Sequence, residues 1–136
     1  MAMKRGEKSA YRMHRIRLEA ARQKAANVGG VDHGYEFIAP LDSTNHISVE
    51  GWRRERALCF VHRTDHGAIV DRGVLAHRPG GEQGATWIFD YDPTTEGDEE
   101  AGYRFGTHAF TPGEYVSVQE ADGDVRTYKV ASVEPA

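Results

Sequence analysis

"YVSVQEADGDVRTYKVASV", residues 115–133, decides the fold class of this chain. Val116 and Val118 fall on one face, Asp122-Gly123 supplies a turn, and Tyr128 and Val130 alternate on the return, the period-2 pattern of an antiparallel hairpin. Thr111-Pro112-Gly113 turns the chain into it.

Upstream of the hairpin, short apolar runs are separated by turn residues, the pattern of an all-β region. "YEFIAP" (35–40), "ALCFVHR" (57–63), "AIVDRGVLAHR" (68–78), "ATWIFDY" (85–91) and "YRFGTHAF" (103–110) read as strands. Gly73 marks a bulge or a close backbone approach in the third of these. Between the first two, "LDSTNHISVEGWRRER" reads as an irregular turn or a short helix capped by Ser48 and running to Arg56. Roughly six strands joined by turns argue for a mainly β fold, a small antiparallel barrel or sandwich. The strand-turn pattern of "FTPGEYVSVQEADGDVRTYKV" (110–130) resembles that of SH3-like barrels. The resemblance favours that architecture and identifies no family.

The N-terminal segment has a different character. "SAYRMHRIRLEAARQKAANV" (9–28) is uninterrupted by proline or glycine and rich in alanine, and Gly29-Gly30 supplies a helix exit, so one N-terminal α-helix is expected before the β region. Wound as a helix, it gathers Tyr11, His14, Leu18, Ala21 and Ala25 on a thin apolar stripe beside Lys8, Arg12, Arg15 and Arg22. Charge divides the chain at the same place: residues 1–30 carry a balance of +6 and residues 31–136 a balance of −10, which together give the net −4. The expected organisation is a basic helical arm over 1–30 and an acidic β-rich domain over 31–136.

A chain of 136 residues is the length of one ordinary domain. The single cysteine, Cys59, excludes an internal disulfide framework and a multi-cysteine zinc site, and a reducing cytoplasm is the expected setting. No run approaches the roughly 18 consecutive apolar residues of a membrane-spanning helix, and the basic start has no apolar core behind it, so neither a membrane span nor a secretory signal is read.

Several chemistries can be tested against their motifs. "PGGEQG" (79–84) lacks the helix start and the Gly-Lys-Ser/Thr of a phosphate-binding loop, since Trp87, Ile88 and Phe89 follow it and read as a strand. "DYDPTTEGDEE" (90–100) places Asp90, Asp92, Thr94 and Glu96 at alternate positions, as in a calcium loop. Glycine is missing at the sixth position, however, and Ala101 replaces the closing glutamate. Cys59 lies in an apolar run, where a thiol is inert, and there is no Gly-x-Ser-x-Gly elbow. No cofactor is expected. A metal centre assembled from His62, Asp65, His66 and His77 is the alternative that the histidine spacing leaves open, and with it metal-assisted hydrolysis.

Two features suit binding better than catalysis. "GWRRER" (51–56) sets Trp52 beside Arg53, Arg54 and Arg56, a combination that stacks on rings and clamps phosphates or carboxylates, or else an anchored Trp whose arginines pair with the acidic body. Tyr91, Tyr103, Phe105 and Phe110 surround the acidic loop as a recognition rim or as core. The expected function is therefore a small non-catalytic binding or adaptor module. Arg12, Arg15 and Arg22, with Trp52, Arg53, Arg54 and Arg56, would contact nucleic acid or an acidic protein partner. A homo-oligomer assembled through the N-terminal helix is the third reading.

Overall fold

A computed structural model of the protein describes residues 10–21, 33–78, 87–91, 99–103, 105–120 and 122–136. They form a closed antiparallel barrel of eight strands, each paired with the next in sequence and the last with the first. The strands are β1 (Arg12–Ala20), β2 (His33–Leu41), β3 (Phe60–Asp65), β4 (Ala68–His77), β5 (Trp87–Asp90), β6 (Glu99–Tyr103), β7 (Tyr115–Gln119) and β8 (Val125–Pro135). The expected barrel is present, and the resemblance to SH3-like barrels falls on β7 and β8, a hairpin that an eight-stranded meander also contains.

The N-terminal helix is not there over the described residues. Arg12–Ala20 is a strand that pairs with β2 along Arg12↔Leu41 to Glu19↔Gly34 and with β8 along His14↔Pro135 to Ala20↔Tyr128. The physical reason lies in "RIRLEA" (15–20): Ile16 and Leu18 alternate with Arg15, Arg17 and Glu19, so a strand buries both aliphatic side chains and leaves all three charges outside. A helix would instead put Ile16 and Leu18 about 200° apart. Burial in a shared core outweighs an intrinsic helix preference of a few tenths of a kcal/mol per residue. Arg22 and the Gly29-Gly30 exit lie outside the described residues.

Among the described residues the one α-helix is mid-chain. α1 (Val49–Glu55) follows the expected Ser48 cap, whose Oγ accepts from Gly51 N at 3.0 Å, and a 3-10 turn over Arg56–Leu58 leads into β3. Because neighbouring strands run antiparallel, α1, the end of β4, the start of β5 and the Phe105–Thr107 turn share one end of the barrel. The β3–β4 and β7–β8 turns share the other.

Inward-facing side chains fill the barrel. Phe37, Phe89, Phe105 and Phe110 form one aromatic set with ring centroids 5.2–6.2 Å apart, in tilted, edge-on and stacked contacts. Trp52 and Trp87 meet edge-on at 5.8 Å beneath α1. Ile16, Leu18, Val61, Leu75, Val116, Val118 and Val130 complete the filling. Phe105 and Phe110 are therefore core, as is the apolar body of Trp52.

The sixth strand is displaced from its expected position. "YRFGTHAF" is not a strand over its described residues beyond Tyr103; β6 is "EEAGY", and Phe105–Thr107 form a 3-10 turn. The reason is Glu100, which faces inward opposite Phe89 and finds polar partners inside the barrel. Gly73 behaves as expected: a Cβ there would stand 2.4 Å from the Asp90 carbonyl oxygen, so a side chain is incompatible with the approach of β5. The register shift itself lies one turn away, between Arg63 and Thr64.

The strand assignment of β1 predicts an alternating mutational cost. Leu18→Ala is expected to lose about 2–5 kcal/mol in urea unfolding and Arg17→Ala about 0.5 kcal/mol or less. Similar small losses at both positions would contradict it.

Candidate functional site

The two ends of the barrel have opposite chemistry. At the end holding the β3–β4 and β7–β8 turns, inward-facing positions become polar. Glu100 is 1% exposed, and its Oε1 accepts from the Tyr35 and Tyr91 hydroxyls, each at 2.8 Å. Its Oε2 accepts from Arg63 Nη1 at 3.2 Å, and Arg63 Nη2 also bonds Asp71. The guanidinium lies 5.5 Å from the Tyr91 ring centroid. Beside this set Tyr128 donates to Glu120 Oε2 at 2.5 Å, and Arg126 holds the other Glu120 oxygen at 3.1 Å.

Burial first, and then neighbouring Tyr128 and Glu100, push the Tyr35 phenol far above its ordinary value of 10.0. Burial and Glu100 do the same for Tyr91, and burial and Glu120 for Tyr128. Each hydroxyl stays protonated and donating. With both carboxylate oxygens of Glu100 occupied, this end is a polar plug that closes the core, although the buried Arg63 Nε finds no hydrogen-bond partner among the described residues.

The other end is built on α1. Trp52, 7% exposed, donates its indole N–H to the Leu75 carbonyl at 2.8 Å and fixes the helix to β4. Gly51 lies on Pro40 and the Tyr11 ring so closely that a Cβ would come within 2.8 Å of both. Tyr11 reaches across to donate to Glu55 Oε2 at 2.9 Å. That bond raises the Tyr11 phenol, while the Arg54 charge acts in the opposite direction and places its guanidinium beside the same hydroxyl. Arg53, Arg54 and Arg56 are exposed, with the Arg56 guanidinium 5.0 Å from the Trp52 ring centroid. Trp52 is thus anchor and stacking surface at once, and its arginines point to solvent.

Arginines elsewhere are used differently. Arg15 pairs with Glu36 at 3.1 Å, Arg17 with Glu19 at 3.4 Å, Arg126 with Glu120, Arg63 with Asp71 and Glu100, and Arg78 with Glu99. Among the described residues, no ion pair involves Arg12, Arg53, Arg54, Arg56 or Arg72. All but Arg72 lie around α1 and the start of β1. Of the sequence candidates, the structure brings Arg12, Trp52, Arg53, Arg54 and Arg56 to one end, and it commits Arg15 to a carboxylate on the barrel wall. Arg22 is outside the described residues.

The histidine candidates do not converge. His62 is on the outer wall, its ring 4.9 Å from Phe60, whereas His77 is at the α1 end between Trp52 and Trp87, with ring centroids 5.9 and 4.5 Å away. Burial, with help from the Arg53 charge, lowers the His77 pKa. Asp65 Oδ1 has His66 Nδ1 at 3.1 Å and His33 Nδ1 at 3.3 Å; His33 escaped the sequence reading because it is distant in the chain. Among the described residues no group of three or more His, Cys, Asp or Glu side chains is placed to hold a metal ion. Cys59 is buried and its thiol is pushed up to about 11, by burial and then by Glu55, which suits a core thiol and not a nucleophile.

Near α1 the β2–α1 connection makes a small cleft against the start of β1. Asp42 organises it, Oδ1 accepting from Thr44 N at 2.9 Å, Thr44 Oγ1 at 2.8 Å and His46 N at 3.0 Å. Partial burial opposes ionisation, but these bonds outweigh it and hold the Asp42 carboxyl below its ordinary value. The cleft measures about 190 Å³ and is lined by Tyr11, Arg12, His14, Leu41, Asp42 and Ser43, with Ala10 at its edge.

No family model, curated protein or solved structure compared with the chain matches it. Among the described residues no helix is long and apolar enough to cross a membrane.

Two outcomes test the polar plug. Glu100→Ala strands two phenols and part of a guanidinium, so a loss of about 3 kcal/mol or more is expected in urea unfolding; a loss under about 0.5 kcal/mol would contradict it. The phenols of Tyr35, Tyr91 and Tyr128 have folded-state pKa values raised above the unfolded value of 10.0, so their contribution is complete below pH 10 and declines as pH rises past it. In an alkaline titration followed by tyrosine absorbance and near-UV circular dichroism, these three of the six tyrosines are expected to ionise together with loss of tertiary signal. Ionisation of all six near pH 10 with the fold intact would contradict the plug.

Proposed function

We propose that the protein is a small non-catalytic binding module that engages a polyanionic chain with the α1 end of its barrel. The observation that carries this reading is the division of the arginines. Those on the barrel wall and in the polar plug are neutralised by carboxylates, except Arg72, whereas Arg12, Arg53, Arg54 and Arg56 have no ion-pair partner among the described residues and cluster around one helix. An exposed arginine without a carboxylate partner presents a planar donor fork to phosphate or carboxylate oxygens at little desolvation cost.

The scaffold supports the same reading. Trp52 is locked by its bond to Leu75 and by contact with Trp87, so α1 holds its arginines on a rigid base. Aromatic rings occupy one end of the interior and the Glu100 network the other, whereas the α1 arginines are exposed. Binding falls to the outer surface.

Binding of a labelled single-stranded oligonucleotide and of labelled polyglutamate, measured by anisotropy at low and physiological salt, tests the proposal. Affinity for at least one polyanion is expected to fall steeply with salt. Arg53→Ala/Arg54→Ala/Arg56→Ala should weaken it tenfold or more and flatten the logarithmic salt slope by about 2, as loss of roughly three phosphate contacts requires. Unchanged affinity in the triple variant, or no binding to either polyanion, would overturn it.

A further inference from the structure

We infer that the polyanion is single-stranded nucleic acid, with one base seated in the cleft between the start of β1 and the β2–α1 connection, against the Tyr11 ring. This rests on the reading above and identifies the partner of the same barrel end. The cleft, at about 190 Å³, is smaller than the roughly 300–1,000 Å³ of a site for a whole small-molecule ligand. It has room for one ring-sized group.

Its walls supply what a base and its backbone need. Tyr11 offers an aromatic wall held in place, its hydroxyl bound by Glu55 and part of its ring packed against Gly51. Stacking a base on such a ring contributes about 1–3 kcal/mol without demanding a particular sequence. Arg12 follows Tyr11 in the chain and Arg54 stands beside its hydroxyl, so cationic groups flank the ring where phosphates on either side of a seated base would run. A paired duplex keeps its bases stacked and does not offer one to a side pocket, which favours a single strand.

The acid in the wall separates nucleic acid from an acidic peptide. Asp42 is ionised, and its three hydrogen bonds are all to Oδ1. The other oxygen, Oδ2, accepts none among the described residues. A glutamate or aspartate entering the cleft would meet this like charge, whereas a base with an exocyclic amino group would donate to it. The charge pattern is therefore cationic around the cleft and anionic within it, which fits phosphates outside and an amino-bearing base inside.

The experiment compares three labelled chains of twelve units: oligo(dA), an abasic phosphodiester chain, and polyglutamate. Wild-type protein is expected to bind oligo(dA) at least tenfold more tightly than either of the others. Tyr11→Leu should abolish the preference over the abasic chain, and Tyr11→Phe, which loses the Glu55 bond but keeps the ring, should retain it. Melting temperatures check that both variants fold, and the Phe variant separates a lost ring from a loosened helix. Equal affinity for oligo(dA) and the abasic chain would overturn the seated base while leaving phosphate binding by the arginines intact. Tighter binding of polyglutamate would overturn nucleic acid in favour of an acidic protein partner. No binding to any of the three would overturn both this inference and the reading beneath it.

Discussion

Pairing of Arg12–Ala20 with Val125–Pro135 closes the sheet, and every other feature of the molecule depends on that closure. Without β1, strands β2 and β8 would each present an unpaired edge, and the core would open between Tyr35 and Tyr128, whose rings meet edge-on at 5.1 Å. With it, all eight strands have two neighbours and the inward residues share one enclosed volume. The β1–β8 register shift between Arg17 and Leu18 adjusts the ladder at the point where the two strands fit Ile16 and Leu18 into that volume.

Closure also fixes which chemistry reaches solvent. An eight-stranded barrel is narrow enough for side chains to fill it, and here they do so in two ways. Aromatic rings occupy the α1 end, where apolar burial and ring-edge contacts dominate. Tyrosine hydroxyls and arginine surround the buried Glu100 carboxylate at the other. Removing either oxygen's partners from Glu100 would leave a charge in a poorly solvated interior, so the polar plug stands or falls as a unit. The arginines of α1 are carried to the outer surface by a tryptophan whose indole faces in.

The C-terminal hairpin was legible because valines alternate across it and an Asp-Gly turn joins its arms. The helix after Ser48 was legible from its cap. β1 was misread because alanine content and the lack of breakers over 9–28 outweighed the alternation in "RIRLEA", the shorter and more decisive signal. β6 was missed because two adjacent glutamates read as solvated loop. Only the positions of Tyr35, Tyr91 and Arg63, distant in sequence, make an inward Glu100 tolerable. At the candidate site, "GWRRER" signalled both its roles, the inward tryptophan and the outward arginines. Which arginines pair with carboxylates, and that Tyr11 and Asp42 line one cleft, depends on strand register and has no local signature.

The most direct test of the account is nuclear Overhauser contact across the closing strands. The β1–β8 pairing predicts cross-strand contacts of Ile16 with Val133 and of Leu18 with Val130, together with slow amide exchange along β1. Sequential amide–amide contacts of a helix over residues 12–20, without those to β8, would contradict it.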